Sequence, residues 1–130
     1  MIYVDSSALA KLIFEEAESQ ALSNWLAARA DIPKISSQIS TIELVRTCRR
    51  RDQDAVSDAR QVLAGLDLIP LASDLVEQAT SVGPPELRSL DAIHLASALS
   101  LGDAVLAFVV YDARLAAAAI DAGLAVVAPT

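Results

Sequence analysis

The 130-residue chain holds one cysteine, one histidine, four glycines and, in Lys11 and Lys34, only two lysines. Each shortage excludes something. A lone Cys48 rules out an internal disulfide framework and reads as a small helical core residue in a reducing cytosol. Four glycines leave no glycine-rich loop of the P-loop or dinucleotide-binding kind. No apolar run approaches the roughly 18 residues that a membrane-spanning helix needs. The N-terminus shows no basic leader ahead of an apolar stretch, so a soluble, cytoplasmic protein is expected. Cations are scarce as well: Lys and Arg total 10 against 17 Asp and Glu, for a net charge of −7. That balance argues against broad, nonspecific nucleic-acid binding, which needs cationic surface to neutralise phosphates. The arginines are unevenly spread, however, with Arg46, Arg49, Arg50 and Arg51 crowded together.

Apolar residues make up 54% of the chain, in short segments, and four acids stand at the edges of such segments. Asp5 ends the run Met1-Ile2-Tyr3-Val4, and Asp112 ends the run from Val105 to Tyr111. These runs read as buried strands, and a carboxylate at a buried strand end is costly unless something neutralises it. Glu43 lies among Ile42, Leu44 and Val45 in a helical stretch. Asp91 falls in the first turn of a helix, where the dipole favours negative charge.

The pattern around these acids predicts alternating strands and helices. Residues 1–4 read as a first strand, and two helices follow within 7–30, broken near Glu15-Glu16. Lys34-Ile35-Ser36 is a short second strand. Residues 38–65 are helical with a separation at Arg49 to Asp54, and residues 66–69 form a third strand. Ser73 is expected to cap a helix through Thr80, and Ser89 one that runs past Leu99 to Gly102, after the breaker Gly83-Pro84-Pro85. Residues 105–110 are the longest expected strand, followed by a helix over 113–122 and a last strand at 125–127. Such alternation implies an α/β domain with a mainly parallel sheet, whose strand carboxyl ends are where ligands sit.

The four acids are separated by 38, 48 and 21 residues, so only folding can unite them. Two carboxylates ~4 Å apart repel by roughly 4 kcal/mol at an effective dielectric of about 20. Several such pairs rival a small domain's whole stability, so convergence demands either protonation or a cation. All-oxygen ligands favour magnesium or manganese over zinc, and a hard divalent ion with phosphate affinity points to phosphodiester chemistry.

Four segments then carry a resemblance. The opening Met1-Ile2-Tyr3-Val4-Asp5-Ser6-Ser7-Ala8-Leu9, then Thr41-Ile42-Glu43-Leu44, Ser89-Leu90-Asp91-Ala92-Ile93-His94-Leu95-Ala96 and Tyr111-Asp112-Ala113-Arg114-Leu115 are similar, in order and spacing, to the PIN domain. The whole chain, 1–130 as one domain, resembles the VapC toxins of bacterial toxin–antitoxin pairs. The resemblance implies a three-layer PIN-like fold and a Mg2+- or Mn2+-dependent endoribonuclease held inactive by a VapB-type antitoxin. It further implies a homodimer and larger toxin–antitoxin assemblies. It assigns the site to Asp5, Glu43, Asp91 and Asp112, with Asp5 and Asp91 the firmest metal ligands. The family often has Thr or Ser two residues before the last acid, where this chain has Val110.

Other residues have two readings each. Ser7 can hydrogen-bond the Asp5 carboxylate or cap the first helix. Arg46 and Arg50 share Glu43's helix face and suit an RNA phosphate, whereas Arg49 and Arg51 read as helix-end charges. Arg88 either contacts RNA or pairs with Glu86. His94 reads as structural, and Trp25 as packing, either internal or against an antitoxin helix. The competing class is a noncatalytic PIN-fold module that binds RNA or protein. Haloacid dehalogenase-like phosphatases fit worse, because Asp5 is followed by Ser-Ser-Ala without a second Asp. A receiver-like domain would want an acid paired with Asp5 and a late lysine, and the chain has neither.

Overall fold

A computed structural model describes residues 1–130. Five parallel strands form one sheet in the order β3-β2-β1-β4-β5: β1 Ile2–Val4, β2 Lys34–Ser37, β3 Asp67–Ile69, β4 Ala107–Val109 and β5 Val126–Val127. The side-chain alternation of β1 shows why helices cover both faces. Ile2 and Val4 enter one core with Leu9, Leu22, Leu44, Cys48 and Leu63, while Tyr3 enters the other with Leu95, Phe108, Val110 and Leu115. The first face carries α1 Ser6–Ala10, α2 Ser19–Ala27, α3 Ile39–Arg51 and α4 Val56–Ala64. The second carries α6 Ser89–Leu99 and α7 Ala113–Asp121, with α5 Ser73–Ala79 packed against α6. No helix is long and apolar enough to cross a membrane.

The expected order of elements holds, and the α3–α4 separation falls at a 3-10 turn over Gln53–Ala55. Three local expectations are corrected. Neither Ser73 nor Ser89 is a cap: each is the first helical residue, after Ala72 and Arg88 in extended conformation and without a side-chain cap. The α6 helix ends at Leu99, short of Gly102. β4 spans three residues and not six, because its neighbour β1 offers a ladder only three residues long. β2 is the longest strand, with four residues. Gly83 has φ +68°, and a Cβ there would lie 2.9 Å from Leu87 Cδ2, so the turn before α6 requires glycine.

Candidate active site

Asp5 leaves the carboxyl end of β1, the central strand, and caps α1. Its Oδ1 accepts from the Ala8 amide at 2.9 Å, and its two oxygens accept from the Ser7 hydroxyl at 3.0 and 2.9 Å. Of the two readings of Ser7, the structure therefore supports the hydrogen bond; the cap is Asp5 itself. Asp5 is only 3% exposed. Burial raises its pKa above the ordinary carboxylate value, Glu43 adds to the rise, and His94, the Ala8 amide and the Ser7 hydroxyl oppose it.

Glu43 projects from α3 into the same region. Its Oε1 lies 2.8 Å from His94 Nε2, and His94 Nδ1 lies 2.8 Å from the Tyr3 hydroxyl. Tyr3 is fully buried and stacks on Phe108 at 5.1 Å. Burial pushes its hydroxyl far above the ordinary tyrosine value, so it stays protonated and can donate to Nδ1. With Nδ1 accepting from Tyr3, His94 donates from Nε2 to the Glu43 carboxylate. A polar chain thus runs from the core behind β1 to one oxygen of Glu43. Reading His94 by itself as structural missed this chain, whose only trace in sequence is His94 one turn beyond Asp91. The Ser97 hydroxyl, buried nearby, has no hydrogen-bond partner.

Asp91, in the first turn of α6, and Asp112, which caps α7 by accepting from the Leu115 amide at 2.9 Å, are joined by Arg88. Arg88 Nε donates to Asp91 Oδ2 at 3.0 Å, and its Nη2 lies 3.5 Å from Asp112 Oδ2. Glu86 is therefore not its partner. Hydrogen bonding to Asp91, followed by the charges of Asp91, Asp112 and Glu43, raises the Arg88 pKa further. Val110 points into the core beside Tyr3 and Leu115, away from the acids, so its lack of a hydroxyl leaves Asp112 held by the α7 cap.

A cleft of about 500 Å³ opens over this edge, lined by Ser7, Lys11, Glu43, Thr47, Tyr111 and Asp112 among others. Lys11, which the sequence did not single out, reaches into it but is held by Glu16 at 3.0 Å and Glu18 at 2.9 Å. No three Asp, Glu, His or Cys side chains converge tightly enough to enclose a cation as they stand. Each acid is instead engaged singly: Asp5 by Ser7, Glu43 by His94, Asp91 and Asp112 by Arg88. The donor chemistry nevertheless fits magnesium or manganese, since all four acids offer hard oxygens. The Arg88 guanidinium, shared by two acids and acting on a third, occupies the role of a stand-in cation.

The chain matches the PIN domain over residues 2–121 and belongs to the PIN-domain family. Within it, the chain is 39% identical over 132 residues to Ribonuclease VapC47 of Mycobacterium tuberculosis (strain CDC 1551 / Oshkosh), covering 99% of this chain and 97% of that protein. The crystal structure of Mycobacterium tuberculosis VapC20, a sarcin-ricin loop cleaving toxin, superposes with a TM-score of 0.80 at 22% identity, covering 99% of this chain and 100% of that one. A toxin–antitoxin complex from Klebsiella pneumoniae matches at 0.71 and 22% identity, covering 100% of this chain and 98% of that chain. These two structural likenesses are likenesses of fold.

Proposed function

We propose that this chain is the toxin of a type II toxin–antitoxin pair, a magnesium- or manganese-dependent endoribonuclease that cleaves RNA phosphodiester bonds. The observation that carries the reading is the acidic edge. β1, α3, α6 and the residue before α7 bring Asp5, Glu43, Asp91 and Asp112 to one side of the sheet, in a chain related over its length to a ribonuclease. Asp5 and Asp91 would be the direct metal ligands, and Glu43 and Asp112 would complete the site or orient the attacking water. A bound ion would lower the pKa of a water and neutralise charge on the phosphate. The chain's own residues do the rest. Ser7 and Ala8 fix the Asp5 carboxylate, His94 holds one oxygen of Glu43 and leaves the other free, and Arg88 balances Asp91 and Asp112 until a cation takes over that charge.

A VapB-type antitoxin is its partner, RNA its substrate, and the cytoplasm its compartment, in keeping with the free, buried thiol of Cys48. A homodimer within a larger assembly is in keeping with Ile42 and Leu71, exposed along one apolar depression. The test is to sequence RNA 5′ ends in cells briefly expressing the wild type or Asp5→Ala. Ends at defined sites with the wild type alone are expected. Matching profiles from two folded, antitoxin-free proteins would transfer the chain to the noncatalytic RNA- or protein-binding class.

A further inference from the structure

Ten cations serve this chain, and five of them have an acid, carbonyl or ring partner. Lys11 and Arg51 pair with Glu16, Arg88 with Asp91 and Asp112, Lys34 donates to the Arg29 carbonyl, and Arg29 lies over the Trp25 ring. Six arginines have no carboxylate within ion-pair distance: Arg29, Arg46, Arg49, Arg50, Arg60 and Arg114. Three of these six share one surface depression of about 240 Å³, which Arg46, Arg49, Arg50 and Gln53 line without any apolar residue.

Stability alone does not favour this arrangement. Arg46 stands at i,i+3 and i,i+4 to Arg49 and Arg50, where like charges on a helix repel. The α3 dipole offsets part of that repulsion, but its last turn already holds Arg51, which has its own carboxylate. Three guanidiniums without a carboxylate partner around a polar hollow, in a chain of net charge −7, concentrate positive charge where an anion could bind. One hydrogen bond links the hollow to the acidic cleft. Arg50 donates to Thr47 Oγ1 at 3.2 Å, and Thr47 lines that cleft together with Glu43. From Glu43 to Arg50 the helix rises about 10 Å.

We propose that Arg46, Arg49 and Arg50 form a backbone-binding groove for single-stranded RNA, carrying the strand along α3 away from the scissile phosphate. The proposal rests on the endoribonuclease reading and adds to it a track of phosphate contacts outside the acidic site. Arg49, read from sequence as a helix-end charge, becomes part of this track. The guanidiniums bind phosphate oxygens through paired N–H donors, and the Gln53 amide adds a neutral hydrogen-bonding group. The contacts are to the backbone, so the groove strengthens binding without selecting bases.

The test uses Asp5→Asn as parent, so that RNA is bound without being cut, and a labelled 20-nucleotide single-stranded RNA of mixed sequence. Affinity is measured by fluorescence anisotropy at 50–200 mM NaCl, without divalent metal. Arg46→Gln/Arg49→Gln/Arg50→Gln is compared with the parent and with a control carrying Arg60→Gln/Arg114→Gln. Glutamine keeps the helix propensity of α3, and circular dichroism verifies folding. Each phosphate contact contributes about 0.7 to the salt slope on a single strand. The triple variant should therefore bind more weakly at low salt, with a slope shallower by about 2. The affinity ratio of parent to variant should narrow by roughly twentyfold over that salt range, and the control should follow the parent. An unchanged slope, an equal loss in the control, or no RNA binding by the parent overturns the groove. An unchanged slope would assign the arginines to an acidic protein partner. Cleavage by the wild type, scored separately, decides the nuclease reading whichever way the groove falls.

Discussion

A tyrosine hydroxyl behind the central strand governs how an acid 40 residues further along the chain is presented. Tyr3, His94 and Glu43 form a chain of two 2.8 Å contacts, and only its last member faces the cleft. Because the Tyr3 proton is locked in by burial, His94 keeps its donor on Nε2, and Glu43 is steered through a single oxygen. Tyr3→Phe preserves the ring and its stacking on Phe108 but leaves a buried imidazole nitrogen unpaired. It should cost about 1–3 kcal/mol in urea unfolding. If His94 orients Glu43 for metal, as groups behind metal ligands commonly do, manganese affinity by calorimetry should also fall roughly tenfold. His94→Gln should weaken it similarly, through loss of the imidazole. A Tyr3→Phe protein that loses stability but keeps wild-type manganese affinity would reduce the chain to a packing device.

At the level of elements, the loop between α1 and α2 is pinned by charge as well as by the packing of Leu12, Ile13 and Phe14 on the core. Lys11 at the end of α1 meets Glu16 and Glu18, and Glu16 also receives Arg51 from the end of α3 at 3.3 Å. The hydrogen bond from Lys11 holds the Glu16 carboxyl below its ordinary pKa, with Arg51 adding to that against the opposing effect of burial. A carboxyl whose pKa is lower in the folded state stabilises the fold above its unfolded value and loses that contribution as pH falls through the folded one. Glu16→Gln should therefore cost roughly 1 kcal/mol at pH 7, with the gap to wild type narrowing as pH falls below the ordinary glutamate value of 4.5, read by urea unfolding across that range. The elements themselves were legible from sequence, because short apolar runs and helical spacing report local burial. Ser73 and Ser89 misled because a hydroxyl at a helix start fits the first helical position as well as the cap. β4 came out shorter than its apolar run because strand length is set by the neighbouring strand. Asp5, Glu43, Asp91 and Asp112 could be picked out because each breaks an apolar context. The partners of Arg88, and the chain through His94 with contacts spanning 91 and 51 residues, depend on tertiary placement that no local pattern records.

For the molecule as a whole, the acidic edge is a place where function opposes stability. Asp5 has two hydrogen-bond donors yet remains almost wholly buried, and burial raises its pKa, so ionising it costs more in the folded chain than in the unfolded one. The sign follows directly. A carboxyl with a folded pKa above its unfolded value is neutral at no cost below the unfolded value, and its favourable contribution is lost as pH rises through the folded one. At neutral pH the charge is therefore a burden that only a cation relieves. Asp5→Asn keeps a good α1 cap and removes that burden, so without metal at pH 7 it should be more stable than wild type by about 1–2 kcal/mol. The difference should shrink as pH falls toward the ordinary aspartate value of 3.8 and be gone below it. Magnesium, bound as proposed, should reverse the ranking: it would raise the Tm of the wild type with concentration by mass action, whereas Asp5→Asn should respond little. Thermal unfolding of both proteins, with chelator and across a magnesium series, reads both effects. Equal stabilities without metal together with equal magnesium responses would show that Asp5 is neither strained in the free protein nor a ligand in the loaded one.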